Sequence, residues 1–340
     1  MNARASGARA RLGIDCEKEE TSITRAIRRV LGDSLHKRGL VLGISGGIDS
    51  SVTAALCVRA VGKDRVVGLQ IPERHSAGET LDLSALIADH LGIRKILWDI
   101  TPVLEAVGYY DKYDLAVSTV VPGYGRGWRS KIVVPDVPED KAYTLFSLVA
   151  EAPDGRVVKK RLELGSYLAI IASTNFKQRV RKMLEYYYAD LYNYAVAGTP
   201  NRLEYDQGFF VKLGDGAADI KPIAHLYKTQ VYQLARHMGL PDAIIDRPPT
   251  TDTYSLPQSQ DEFYFSVPYE AMDLCLFGKN HGLSPEEVAR DSGLSPGRVK
   301  AIYQDIERKR AATRYLHLSP ILVTRVPEIL HRGNADRDQE

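Results

Sequence analysis

Cysteine is scarce in this chain. Cys16, Cys57 and Cys275 are its three cysteines, far apart and never in a CxxC pair. That excludes a disulfide framework and a zinc cluster of the usual spacing, and it points to reduced thiols in a cytosolic protein. Long hydrophobic runs are missing as well: no apolar stretch approaches the roughly 18–20 residues needed to span a bilayer. Net charge is nearly absent, with 45 Lys+Arg against 43 Asp+Glu giving +2, so nothing global recommends nucleic acid or a membrane surface as a partner. There are no repeats or low-complexity tracts. The opening MNARASGARARLG is Arg-rich without an apolar core, so residues 1–21 read as a disordered leader rather than a secretory signal.

What is present is a regular alternation. Residues 22–38 look helical and stop at Gly39, before the strand-like LVLGI. A glycine-serine loop and the nearly all-apolar VTAALCVRAVG follow, which reads as strand, turn, buried helix. RVVGLQI (65–71), LDLSALIADHLG (81–92) and RKILWDI (94–100) repeat strand, helix, strand. Alternation at this spacing implies right-handed crossovers and a doubly wound parallel α/β sheet. Between about 101 and 164 the pattern dissolves into VVPGYGRGW and EAPDGRVVKKRLEL, read as an inserted excursion, a small hairpin carrying a lid. A long helix over about 165–193 then leads to the strand YAVAGT. Residues 284–308 carry two Ser-Pro helix starts around a glycine turn, a helix-turn-helix pattern; DNA readout is one meaning, structural decoration the other, and the near-neutral charge favours the second.

The loop SGGIDSS carries the chemistry. A glycine turn entering a helix presents backbone N–H groups and the positive end of the helix dipole to an anion. Gly43, Ser45, Gly46, Gly47, Ser50 and Ser51 build that cradle. The G-x-x-x-x-G-K-[ST] loop and the GxGxxG fingerprint are both absent. Asp49 then needs an explanation, since a carboxylate beside polyphosphate is repulsive unless a cation lies between them. Mg²⁺ habitually bridges carboxylates and phosphates. The bland alternative is a helix cap.

SGGIDSS resembles the pyrophosphate-binding loop of the N-type ATP pyrophosphatases, and the rest of the chain is similar to the NAD⁺ synthetase family within that superfamily. The resemblance covers about 22–100 and 165–316. NFKQRVRKM (175–183) is similar to the family's N-x-x-x-R-x-R-M, and AGTPNRLEYDQGFFVKLGDGAADIKPIAHLYKTQV to its G-T-x-N-x-x-E, G-x-x-x-K-x-G-D-G-x-x-D and L-x-K-x-x-V elements, in order.

The resemblance implies an adenine nucleotide alpha hydrolase-like fold. It further implies an ammonia-dependent enzyme that adenylates the nicotinate carboxylate of deamido-NAD with ATP, giving NAD⁺, AMP and pyrophosphate. Asp49 and Glu204 are the implied Mg²⁺ ligands. Thr199 and Lys228 are implied at ATP; Lys212, Asp215 and Lys228 in catalysis, with Asp215 in the ammonia region; and Asn175, Arg179, Arg181, Lys212, Asp215 and Asp219 at the dinucleotide. A homodimer is implied too. The length leaves no room for an amidase domain, so ammonia is expected free or from a separate amidase subunit. The expected layout is a synthetase domain over 22–280 and a helical extension and tail over 281–340.

Two departures stand out. PERHSAGETLD replaces the usual sequence near the adenine site, leaving Arg74 and His75 as unassigned candidates, and residues 248–269 follow the family's P-[ST]-A-D-L…D-E pattern loosely, with Asp261 and Glu262 keeping its end. They leave open an amide ligase acting on another carboxylic acid. A non-catalytic nucleotide-binding regulator is the reading from another class.

Overall fold

The computed structural model describes residues 8–133, 146–249, 253–258, 264–265, 267–324 and 326–327. In chain order the first elements are α1 (Ala8–Arg11), α2 (Cys16–Arg29), β1 (Leu40–Gly43), α3 (Ile48–Val61), β2 (Val66–Gln70), α4 (Gly78–Leu91) and β3 (Arg94–Leu97). There follow α5 (Thr101–Ala106), α6 (Tyr109–Ser118), β4 (Arg129–Val133), β5 (Ser147–Glu151), β6 (Val157–Arg161), α7 (Leu164–Tyr192), β7 (Ala195–Val196) and α8 (Arg202–Gln207). The chain closes with α9 (Lys228–His237), α10 (Asp242–Ile245), α11 (Tyr269–Asn280), α12 (Pro285–Ser292) and α13 (Pro296–Thr313).

β1 lies inside a parallel sheet of order β3-β2-β1-β7. Its aliphatic residues are buried on both faces, as an interior parallel strand requires. The period of two divides them: Leu40 and Leu42 join the core under α2, α3 and α9, while Val41 points to the other side with Val67, Val196 and Ala189 of α7. The strand and helix expectations therefore hold, with α7 running over 164–192 and ending at Asn193 in the left-handed conformation.

Two expectations change. Structure begins earlier than the leader reading allowed: Asp15 caps α2 by accepting from Lys18 N, and Leu12 is buried in the C-terminal core. Residues 1–7 lie outside the described residues. The excursion is also more than a hairpin: α5, α6 and the antiparallel sheet β4-β5-β6 share a second core with α7. Its helices were hidden by a tyrosine-rich sequence, YYDKYDL, whose apolar bodies and polar tips blur the helical period. The 255–257 segment runs along β4, with Ser130 N donating to Ser255 Oγ at 2.9 Å and Leu256 N to Ser130 O at 3.2 Å.

The helix-turn-helix pattern is a real helix pair. Ser284 and Ser295 cap α12 and α13, and Gly293, at φ +73°, makes the turn. Val288, Val299, Ile302 and Ile306 bury its apolar face against α11.

A buried ion pair fastens the second core to the sheet. Lys177 Nζ of α7 lies 3.0 Å from Glu73 Oε1, in the loop after β2, and both side chains are almost completely enclosed. Tyr110 of α6 donates to the other Glu73 oxygen at 2.9 Å. Burial pushes Glu73 upward, but Lys177, His75 and Tyr110 together hold it down at about 2. Removing one partner strands a buried charge, so Lys177→Met should cost about 3–5 kcal/mol in urea unfolding, with Glu73→Met/Lys177→Met recovering most of it. Because the folded pKa is depressed, the pair's contribution is complete above pH about 4.5 and is lost on acidification towards 2; Glu73→Gln should flatten that acid limb. Equal unfolding midpoints for Lys177→Met and the parent would remove the assignment.

Candidate active site

The loop between β1 and α3 is braced by its own serines. Ser50 Oγ and Ser51 Oγ both donate to Gly47 O, at 3.0 and 2.9 Å, and Ser45 N donates to Ser50 Oγ at 3.3 Å. Gly46 is required as glycine: its φ is +69°, and a Cβ there would lie 2.5 Å from Leu83 Cβ of α4. The result is a rigid turn at the N-terminus of a 14-residue helix. Ser45, Gly47 and Ser50 face a polar pocket, whereas Ser51 is fully buried.

Asp49, in the first turn of α3, sits in that pocket with Glu204 of α8, Thr199 and Lys228. Lys228 Nζ is bonded to Asp49 Oδ2, and Asn201 Nδ2 donates to Asp49 Oδ1 at 3.1 Å. Asn201 also caps α8: its Oδ1 accepts from Leu203 N and Glu204 N, and its own N–H donates to Glu204 Oε2 at 3.1 Å. One buried asparagine thus fixes both carboxylates. Asn201 stood in the G-T-x-N-x-x-E motif but was given no role; its place at a helix start three residues before a glutamate was the signal for the cap.

Electrostatics set the character of this seam. Burial and then the Asp49 charge raise Glu204 to about 8, against the opposing pull of Lys228. The Lys228 ammonium is held protonated, since Asp49 and Glu204 outweigh its burial. Asp273 of α11 supports it from behind, accepting from Lys228 N and Thr229 N at 3.2 and 2.7 Å; burial lifts that carboxyl to about 7. Asp49 and Glu204 repel each other even with Lys228 beside them, and their oxygens are a donor set that fits a hard divalent ion shared with phosphate oxygens. Among the described residues no cluster of three or more His, Cys, Asp or Glu side chains forms a self-sufficient metal site.

Beside this pocket opens a cavity of about 430 Å³, lined from the loop side by Gly43, Ser45, Ser50, Thr199 and Glu204. Ile171, Thr174, Asn175, Gln178, Arg181 and Glu185 project into it at helical spacing from α7. Arg181 Nε donates to Ile71 O at 3.1 Å, tying the helix to the end of β2. Glu185 pairs with Lys182 at 2.6 Å, both buried, a charged pair that sequence reading missed because two long polar side chains in a tyrosine-rich helix look solvated. Asp215 lines the cavity too; burial raises its carboxyl while Val211 N, donating at 2.8 Å, works the other way.

Other expected residues lie elsewhere. Lys212 Nζ donates to Tyr315 O and Leu318 O, at 2.8 and 3.3 Å, which draws it towards the C-terminal segment. Arg179 is exposed and donates to Lys212 O at 3.3 Å. Asp219 accepts from Val196 N at 2.7 Å and from Tyr186 OH at 3.4 Å, a brace between β7 and α7. Arg74 pairs with Glu105 and covers the Tyr110 ring at 3.9 Å, and His75 meets Tyr110 edge-on at 5.6 Å, so both face α5 and α6. Asp261 and Glu262 lie outside the described residues.

The chain has relatives among known proteins. A family model described as NAD synthase matches residues 21–121 and 153–314. The chain is 53% identical over 317 residues to the NH₃-dependent NAD⁺ synthetase of Mesorhizobium japonicum, spanning 93% of this chain and 99% of that one. Its identity to the enzyme of that name from Rhizobium meliloti is 56% over 318 residues, or 94% and 95% of the two chains. The fold is shared with the NH₃-dependent NAD synthetase of Campylobacter jejuni, solved with nitrate, at a TM-score of 0.60 and 21% identity over 92% of this chain and 100% of the other. It is shared too with the NMN synthetase of Francisella tularensis, at a TM-score of 0.62 and 22% identity over 91% and 100%. The cradle, the carboxylate seam and the motif order thus occur in a chain whose sequence matches one family model on both sides of its inserted strands: the chain belongs to the NAD synthase family.

Proposed function

We infer that the chain is an ammonia-dependent NAD⁺ synthetase that adenylates the nicotinate carboxylate of deamido-NAD and transfers ammonia to it. The observation that carries the mechanism is the Asp49–Lys228–Glu204 seam at the mouth of a glycine cradle. A carboxylate is a poor electrophile, and an acyl-adenylate supplies the leaving group it lacks. The cradle N–H groups and the Ser45 and Ser50 hydroxyls receive the β,γ-phosphates of ATP. Asp49 and Glu204 would hold Mg²⁺, which would supply neutralisation of the phosphate charge. The carboxylate oxygen of deamido-NAD attacks the α-phosphorus, and the α–β P–O bond breaks as pyrophosphate departs. Lys228 is placed to follow the charge that develops on that leaving group, because its Nζ already lies at the pocket. Ammonia then attacks the acyl carbon, AMP leaves with the electron pair of the acyl C–O bond, and Asp215, a cavity carboxyl made more basic by burial, accepts the proton shed by nitrogen.

A second copy of the chain is the inferred partner. Met183, Tyr187 and Leu191 form an exposed line at four-residue spacing on α7, 55–58% exposed, and Leu97 and Trp98 at the edge strand β3 extend the apolar surface. Trp98 Nε1 donates to Tyr188 OH, joining the two parts. Three cysteines without a disulfide agree with a reducing, cytoplasmic setting, and among the described residues no helix is long and apolar enough to cross a membrane.

The assay is mass spectrometry after incubation with ATP, Mg²⁺, deamido-NAD and ammonium, beside a tube with glutamine. NAD⁺ with matching AMP and pyrophosphate is expected from the ammonium tube alone. Asp49→Asn and Glu204→Gln should each lower turnover by at least about a hundredfold while leaving the unfolding transition in place. Near-parental turnover in both would sink the metal assignment. Tyr187→Glu should shift the sedimentation coefficient of the parental dimer to that of a monomer; a parent that already sediments as a monomer removes the dimer inference.

A further inference from the structure

One residue of the cavity wall falls outside the family match. The match skips residues 122–152, and Phe146, just before β5, lies inside that gap and lines the cavity. Its ring stacks on Tyr167 of α7, with centroids 4.6 Å apart and planes 16° from parallel. Both rings border the second core, so the strands and helices behind them fix their place. β4 supports a further piece of the same wall, because it pins residues 255–257 and Thr253, immediately upstream, also lines the cavity.

Helix geometry locates this wall relative to the chemistry. Tyr167, Arg181 and Glu185 stand on one continuous helix, and at 1.5 Å per residue Tyr167 lies about 21 Å along the axis from Arg181 and about 27 Å from Glu185. Glu185 abuts the cradle: a Cβ on Gly43 would lie 3.2 Å from its Oε1. A carboxylate attacking the α-phosphorus must sit at the cradle end. The stacked pair is therefore out of reach of the ring that bears that carboxylate, and it suits a planar group at the other end of a long substrate. Phe146, Tyr167, Ile171 and Thr253 carry no charge, which suits a neutral purine rather than a phosphate.

We propose that Phe146 and Tyr167 form a stacking platform for the adenine base of the dinucleotide substrate, so that the inserted segment makes the chain select deamido-NAD over nicotinic acid mononucleotide. The proposal rests on the deamido-NAD reading above. It assigns a specificity role to Phe146, which the family pattern leaves out, and to its stacking partner Tyr167, and it separates the two substrates by one feature, the adenosine half.

The test is steady-state kinetics of the full chain with deamido-NAD and, separately, with nicotinic acid mononucleotide, each at saturating ATP and ammonium. Phe146→Leu keeps apolar volume and removes the ring; Phe146→Trp restores a ring. Phe146→Leu and Tyr167→Leu should raise KM for deamido-NAD about tenfold, leave KM for ATP and kcat/KM for the mononucleotide unchanged, and Phe146→Trp should restore the parental KM. An unchanged KM for deamido-NAD, an equal fall with both substrates, or a rise in KM for ATP would each overturn the platform. A parent chain that makes no NAD⁺ from deamido-NAD would instead overturn the functional reading and the platform with it.

Discussion

The ammonium of Lys228 lies in a buried seam against Asp49, with Glu204 and Asn201 closing the other sides. Enclosing these charges has a cost: desolvating an ion pair can consume its Coulomb gain, and a hydrophobic replacement is often as stable. The seam is therefore better explained by chemistry than by stability. It joins three separate stretches of chain, the start of α3, the start of α8 and the start of α9. The first-turn N–H groups of α8 and α9 are taken up by Asn201 and Asp273, so a polyanion entering there meets the glycine turn at the start of α3 together with the Lys228 ammonium, and the carboxylates prevent the pocket from being simply positive. The surrounding structure serves to hold these three helix starts together. Asp273 fixes the first turn of α9, and the capping box of Asn201 fixes that of α8.

The second theme is α7. One face completes the core beneath β1 and β2, another lines the cavity, and a third is exposed and apolar. Its buried lysines are engaged, Lys177 with Glu73 and Lys182 with Glu185, and the half-buried Arg181 donates to the carbonyl of Ile71. The Lys177 and Arg181 contacts tie this helix to the segment that follows β2. The strands β4 and β5 share a core with the same helix, so a segment that the family pattern omits is continuous with the cavity wall.

Much of this was legible in the sequence. The alternation of apolar strands and helices pointed to the parallel sheet because interior strands are largely apolar, as LVLG and VVGL are. The loop was legible because glycine, serine and aspartate at one strand–helix junction have few other uses. Lys228 and Glu204 were legible only through their motif; nothing local distinguishes HLYKTQV from an exposed helix start. Lys212 stands in a matching motif as well, yet its contacts run to the backbone at Tyr315 and Leu318, over a hundred residues away, a long-range geometry that spacing does not encode. The charged pairs inside α7 were illegible for a related reason. Burial of Lys177 and Lys182 depends on strands and helices that arrive from distant sequence, and the excursion that supplies them has no clean period of its own.

The central claim is that pyrophosphate leaves ATP at the cradle as the acyl-adenylate forms, before nitrogen arrives. The most direct measurement is the exchange of labelled pyrophosphate into ATP by the intact chain with Mg²⁺ and deamido-NAD, in the complete absence of ammonia. The account predicts exchange that depends on deamido-NAD. No exchange, together with ADP and orthophosphate as the products once ammonium is supplied, would contradict it.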